Sequence, residues 1–401
     1  MKVDVEVLTW IGLGLALTAL LLLARRNLYL GMTIAALVLG LFTVPGELGP
    51  ALLAVLADPG IMLLALVVAL IPLIGGALEE TGLMEGLVGN LRLGRRAFLA
   101  LAPALLGMLP MPGGALLSAP LVARGGGALD GAHKAAVNVW FRHVLYLVYP
   151  LGPALIAAAK VAQLEVYRVI PWLFPFFLLS LLLGYAFLLR RAGGEPAYAQ
   201  EFSPRGLLLP LGVILVAPLL DFLLRWSLRL PVRELGTLAS VGTSLLAVSL
   251  AGRLGDRLGK LILKMRVWRF SLIILGMFFF LEVFQRSGVP GLIAGLELPG
   301  AVLGAVIGPL LGLITGRIQA PVTVIFPVFL ARGEAITPLT FALIFYAVFL
   351  GYILTPVHPC IAVSAEYFKT SLREFIRVLR WPAALAWLAV LLLSLFLFPR
   401  L

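Results

Sequence analysis

Pro150-Leu151-Gly152-Pro153-Ala154-Leu155-Ile156 is answered 206 residues later by Pro356-Val357-His358-Pro359-Cys360-Ile361-Ala362. Both stretches sit late in long apolar segments. A proline there removes a backbone donor and breaks or kinks the helix. Working outward, the same spacing of 206 joins Thr81-Gly82-Leu83 to Ser287-Gly288-Val289. A looser match joins residues 99–125 to 304–333, with Gly107 against Gly312 and Ala123-Arg124-Gly125 against Ala331-Arg332-Gly333. At their centres stand Pro110-Met111-Pro112-Gly113-Gly114 and Thr315-Gly316-Arg317-Ile318-Gln319-Ala320-Pro321. Two halves that carry Pro/Gly-interrupted apolar segments in corresponding places form the sequence pattern of a secondary transporter.

Composition agrees with a membrane location. The 401 residues are 62% hydrophobic and 12% charged, with a mean hydropathy of +1.09. Apolar runs near twenty residues recur throughout and read as membrane helices. The first run, 7–24, has acids before it and Arg25-Arg26 after it, the reverse of a signal peptide, so it reads as a retained span. The net charge of +12 is spread between the spans, which makes it a topology signal and excludes a nucleic-acid partner. Cys360 is the single cysteine, so no internal disulfide can form.

The chain reads as ten full crossings and two hairpins. The first repeat, 1–190, has spans near 7–24, 28–44 and 60–78, a hairpin at 97–123, a broken span at 135–160 and a further span near 167–189. A polar linker, 191–205, follows. The second repeat, 206–401, has spans near 206–224, 234–252 and 268–285, a hairpin at 300–331, a broken span at 338–365 and a last span near 375–398. Segments 46–57 and 253–266 are shorter and more polar and read as interfacial helices. The hairpins are interrupted at mid-length. In lipid the freed backbone groups need partners, so such a break survives only where protein or a wet cavity covers it, as at the tip of a re-entrant hairpin. Basic residues gather on one side of this arrangement, including Arg92, Arg95, Arg96, Arg190, Arg191, Arg253 and Arg257, and the positive-inside rule makes that side cytoplasmic. Both termini then face outward. Five crossings per half invert the second half relative to the first. The expected fold is therefore an all-α polytopic membrane protein, an inverted repeat of five spans plus one re-entrant hairpin per half, in a prokaryotic cytoplasmic (inner) membrane.

The tips are the first site candidates, because helix ends at the midplane present unpaired N–H and C=O groups to ions. The substrate-binding candidates of tip one are Pro110, Pro112, Gly113, Gly114 and Ser118; those of tip two are Thr315, Gly316, Arg317 and Gln319. His358 joins them as the polar side chain between two breaking prolines. Pro150, Pro153, Pro356 and Pro359 are gating candidates. An ionisable residue inside the membrane is costly and marks a functional pathway. Arg317 would cost about 2.5–3.5 kcal/mol unpaired, which points to an anionic ligand or to a structural acid such as Glu282. Arg142 lies eight residues past Lys134, about 12 Å inward; Asn138 shares its face, whereas His143 points to another. Asn138, Arg142, His143 and Glu282 are the coupling candidates. Asp221 reads as interfacial. No P-loop, nucleophile elbow or dinucleotide turn occurs, so neither an ATP-driven pump nor an enzyme is expected. His133, His143 and His358 lack acid or thiol partners at helical spacing, so no metal site is expected. No cofactor is called for beyond a coupling H+ or Na+.

These motifs resemble the domain-of-unknown-function 401 family of prokaryotic membrane proteins. The resemblance rests on Met111-Pro112-Gly113-Gly114-Ala115 with Ser118-Ala119-Pro120, and on Trp140-Phe141-Arg142-His143 running to Tyr149-Pro150-Leu151. In the second half it rests on Gly312-Leu313-Ile314-Thr315-Gly316 with Phe326-Pro327, and on Thr355-Pro356-Val357-His358 with Ala365-Glu366-Tyr367-Phe368. The family is similar to a branch of the ion transporter superfamily, which includes carriers for di- and tricarboxylates, gluconate and arsenite. That resemblance implies hairpins meeting at a substrate site, a homodimer and elevator-like movement. The Ser-Asn-Thr tips of the sodium-coupled members are absent here, so sodium coupling is not implied. The expectation is a secondary active transporter for a small anion, an organic carboxylate. The alternatives are a non-transport membrane protein, scaffold or enzyme, and an ion channel.

Overall fold

The computed structural model describes residues 2–24, 26–108, 114–193, 201–228, 230–255, 257–296, 298–333 and 335–398, with side chains from residue 6 onward. Pro110, Pro112 and Gly113 of the first tip therefore lie outside the described residues. Among the described residues the chain is helical without a strand. The first half runs α1 Lys2–Ala24, α2 Leu28–Thr43, α3 Leu48–Ala57, α4 Pro59–Glu80, α5 Leu83–Gly89, α6 Arg95–Met108, α7 Gly114–Gly125, α8 Gly131–Val144, α9 Pro153–Val161 and α10 Val166–Gly184. The second runs α11 Pro204–Ser227, α12 Glu234–Ala251, α13 Arg257–Met265, α14 Trp268–Arg286, α15 Val289–Ala294, α16 Gly308–Thr315, α17 Gln319–Ala331, α18 Pro338–Leu354, α19 Pro359–Tyr367 and α20 Leu372–Leu397.

Among the described residues, eight segments are long and apolar enough to cross a membrane: an all-helical polytopic membrane protein. Two of the ten expected crossings do not reach that length. α2 begins at its cap, Asn27, and spans only 16 residues, about 24 Å at 1.5 Å per residue. The expected span at 135–160 is divided into α8 and α9 by the turn over Leu145–Gly152. Helix starts follow ordinary capping chemistry. Asp58, Asp130, Ser203 and Thr337 each accept a backbone N–H of the first turn, and Ser371 with Glu374 forms a capping box.

Burial sorts the helices. The segment Pro338–Tyr367 is 83% buried in its most apolar window and α4 78%, against 28–39% for α1, α10, α11, α12 and α20. The first two therefore form the centre, and the others carry an outward apolar face such as Leu22, Leu208, Trp226 and Leu250. That face suits lipid rather than water. The packing pairs recur in both halves: α6 on α8 and α16 on α18, α9 on α17 and α19 on α7, and α4 on α14. Close backbone approach needs glycine at two of these crossings. A Cβ on Gly107 would meet the Arg142 carbonyl at 1.7 Å, and one on Gly351 would meet the Pro309 carbonyl at 2.0 Å.

Candidate functional site

The second tip is built by a left-handed glycine. α16 ends at Thr315, Gly316 takes φ +63° and its N–H returns to the Gly312 carbonyl at 2.9 Å. Thr315 Oγ1 donates to Leu311 O at 2.7 Å and accepts the Arg317 N–H at 3.3 Å. A Cβ on Gly316 would sit 3.3 Å from Val357, so the tip rests directly on the second broken span. That span stops because Pro356 and Pro359 lack N–H groups. Buried Thr355 accepts the Val357 N–H at 3.3 Å, the His358 N–H returns to Thr355 O at 3.0 Å, and α19 restarts at Pro359. The first broken span stops in the same way, with Gly152 N–H on Tyr149 O at 3.0 Å before Pro153 opens α9. Pro150 and Pro153 are half-buried, whereas Pro356 and Pro359 are exposed.

The breaks bring one aromatic cluster together. Tyr146 and Tyr352 stack with centroids 6.5 Å apart and planes at 16°. His143 stands edge-on to both, at 5.3 and 5.5 Å, and to His358 at 4.7 Å. Tyr352 lies 4.4 Å from His358. A cavity of about 120 Å³ opens beside them. Arg317 and Gln319 of the tip, the two tyrosines, the start of α9, and Phe270, Ile273 and Ile274 of α14 line it.

α8 supplies the rest. Asn138 Nδ2 donates to Ser364 Oγ of α19 at 2.9 Å and to the Ala115 carbonyl of α7 at 3.4 Å, while Asn138 Oδ1 is buried and unpaired. Arg142, 3% exposed, reaches Ser118 Oγ at 3.4 Å and lies beside the Cys360 sulfur. Ser118 donates within its own helix to Gly114 O and Ala115 O. Arg317 is half-buried and lines the cavity with Tyr146 and Tyr352. Neither arginine has a carboxylate within ion-pair distance among the described residues.

Glu282 is not brought to this cluster. It pairs with Arg286 at 3.2 Å, and Arg286 also binds Glu47 at 2.7 Å. An i, i+4 partner one turn away on the same helix satisfies Glu282 without a contact across the bundle. Asp221, expected at the interface, is 2% exposed and engaged by Arg225, Tyr167 and Thr237. Arg225 and Thr237 of that network wall a second, larger cavity of about 480 Å³, together with the Lys160–Glu234 pair at 2.7 Å and the Arg233–Glu165 pair. The two cavities share α4 and α9 as a thin partition: Val68 and Leu155 line the smaller, Val67 and Ile156 the larger.

Sequence reasoning missed Tyr146, Tyr352, Ser364 and Cys360 as site members. The tyrosines carried a usable signal, since each stands four residues before a breaking proline at the spacing of 206. Cys360 supplies the thiol that helical spacing did not provide: a nitrogen of His143, one of His358 and the Cys360 sulfur lie within 4.8 Å of one another.

The chain matches the family described as "Protein of unknown function (DUF401)" over residues 13–396. It belongs to that family. No curated protein matches it.

Proposed function

We propose that this DUF401 protein is a secondary active transporter that binds a small anion, an organic carboxylate, between the hairpin tips and the broken spans. The observation that carries this reading is a pair of arginines without a carboxylate partner among the described residues: buried Arg142, next to His143 of the aromatic cluster, and half-buried Arg317, which lines the cavity with Tyr146 and Tyr352. A buried guanidinium without a counter-ion is unfavourable by several kcal/mol, and an anionic ligand supplies the missing charge. The start of α9, at Gly152-Pro153, adds the positive end of a helix dipole to the same cavity.

The inverted repeat is part of the proposal. Ser271 Oγ donates to Ala65 O at 2.9 Å, and Tyr146 stacks on Tyr352; both pairs are 206 residues apart. Contact between equivalent positions is what a two-fold axis produces where it passes through a molecule. The exchanged packing of α9 on α17 and of α19 on α7 supports the same relation. With that axis in the membrane plane, the halves alternate access to one central site. α1, α2, α11 and α12 serve as the scaffold of a homodimer, the rest moves elevator-like, and a proton or cation is the coupling ion.

The test is uptake into proteoliposomes of radiolabelled carboxylates chosen by thermal-shift screening. Saturable uptake that disappears in Arg317→Ala supports the reading. Equal stabilisation by a neutral analogue of the same shape would remove the reason for an anion, and uptake without saturation would favour a channel.

A further inference from the structure

We propose that His143, His358 and Cys360 form a three-ligand site for the monovalent thiophilic cation Cu(I). This goes beyond anion transport and does not depend on it.

The donors are already gathered: one ligand atom from each lies within 4.8 Å of the other two. Metal–nitrogen and metal–sulfur bonds of about 2.0–2.3 Å place such donors roughly 3.5–4 Å apart around one ion. Closing the site thus needs side-chain movements of about 1 Å. His143 is set for the task. Its Nδ1 lies 2.6 Å from the Val139 carbonyl and so carries the proton, leaving Nε2 as a bare lone pair. A ligating imidazole is held by its second nitrogen in this way in metal sites. His358 is 3% exposed and its Nδ1 has no hydrogen-bond partner. A buried, unsatisfied nitrogen is a cost that a metal bond removes. Cys360 stands in the first turn of nine-residue α19, two residues past His358, so its sulfur and the His358 ring reach the same space beside His143.

Charge selects the ion. Imidazole with thiolate suits copper(I) and zinc. On binding, Cys360 releases its proton to solvent and the copper–sulfur bond forms, so Cu(I) and thiolate cancel. Zn(II) would leave an extra positive charge near Arg142 and Arg317, and like charges repel strongly away from water. The fold does not demand these donors. At the equivalent places 206 residues away the chain carries Phe349, Gly152 and Ala154.

The experiment titrates purified full-length protein, reduced and anaerobic, with Cu(I) against bathocuproine disulfonate, read by the absorbance of the chelator complex. The wild type is expected to withdraw one equivalent of copper, unaffected by equimolar Zn(II). Cys360→Ala and His143→Phe, which install the residues of the equivalent positions, should each weaken retention at least tenfold. Cys360→Ser is the second thiol variant, and size exclusion with melting temperature checks that each variant is folded. A copper–sulfur contribution in the X-ray absorption spectrum should be present in wild type and lost in Cys360→Ser. Failure of the folded wild type to withdraw copper, or full retention by a folded Cys360 variant, would overturn the site.

Discussion

Replacing Arg142 by methionine separates the cost of its charge from its use. The side chain is 3% exposed and reaches one neutral hydroxyl, Ser118 Oγ, at 3.4 Å. Methionine fills a similar volume, and Ser118 keeps its bonds to Gly114 O and Ala115 O, so the change leaves no orphaned donor. On insertion scales an arginine at the centre of an apolar helix is unfavourable by about 2.5–3.5 kcal/mol. Removing it without a partner to strand should stabilise the ligand-free protein by about 2–3 kcal/mol, in line with hydrophobic replacements of buried charge. On the proposed function the wild type recovers a comparable amount with a bound anion: at a hundredfold excess over Kd, binding contributes about 2.7 kcal/mol. The expected pattern is a crossing. Ligand-free Arg142→Met melts a few degrees above ligand-free wild type, a stabilising carboxylate raises the wild type to about the same temperature, and the variant does not respond. Intrinsic-fluorescence melting in mild detergent with and without the carboxylate, followed by proteoliposome uptake, measures all of this. A lower melting temperature in Arg142→Met together with an intact carboxylate shift would refute the reasoning, because Arg142 would then be serving the fold and not the ligand.

Arg317→Lys keeps the charge but loses the planar fork, so it should weaken carboxylate uptake at least tenfold while changing the melting temperature little. Arg317→Ala should abolish uptake and remain folded, because Glu282 keeps its own partner in Arg286; for the same reason Glu282→Gln should leave uptake near wild type. Gly316→Ala should lower stability by about 1–2 kcal/mol, the cost of a Cβ in a left-handed conformation, since Gly316 has φ +63° and Val357 leaves 3.3 Å; a melting curve and an uptake assay check it. Asp130→Ala should cost about 1 kcal/mol as a lost N-cap of α8. Burial pushes the Asp130 carboxyl up, but hydrogen bonds from the His133 backbone and ring outweigh it and hold the carboxyl below its ordinary range. Its capping contribution is therefore complete above about pH 4 and lost as pH falls through the lowered native value. Melting of wild type against Asp130→Ala between pH 3 and 6 should show the gap closing at the acid end.

The amount of this molecule legible in the chain depended on whether a residue's role was local. Breaks at Pro150-x-x-Pro153 and Pro356-x-x-Pro359 were readable because a missing N–H acts where it stands; so was the tip at Thr315-Gly316. Pairing across the bundle was not. Glu282 could be placed on a helix, but its choice of Arg286 over Arg317 is decided by a distance of one turn against a gap between helices. Asp221 looked interfacial because it lies near a helix end, and only the fold shows Tyr167, Arg225 and Thr237 closing over it. The gathering of His143, His358 and Cys360 was invisible for the same reason, since they come from two broken spans more than 200 residues apart.

The spacing of 206 nevertheless says more than which residues match, because it also marks where matching fails. Positions that agree do structural work: Tyr146 with Tyr352 stack on each other, Pro150 and Pro153 stop one span as Pro356 and Pro359 stop the other, and Gly82 and Gly288 both take positive φ ahead of α5 and α15. Positions that disagree concentrate the chemistry. Arg142 stands against Val348, His143 against Phe349, His358 against Gly152 and Cys360 against Ala154. Each departure places a charged, basic or thiol group where its counterpart shows that an apolar or small residue suffices for folding. A buried charge or orphaned imidazole nitrogen lowers stability without improving the packing, so its presence on one side alone needs a reason outside the fold. The four departures gather beside Tyr146 and Tyr352, and that convergence is the reason for proposing a binding site there.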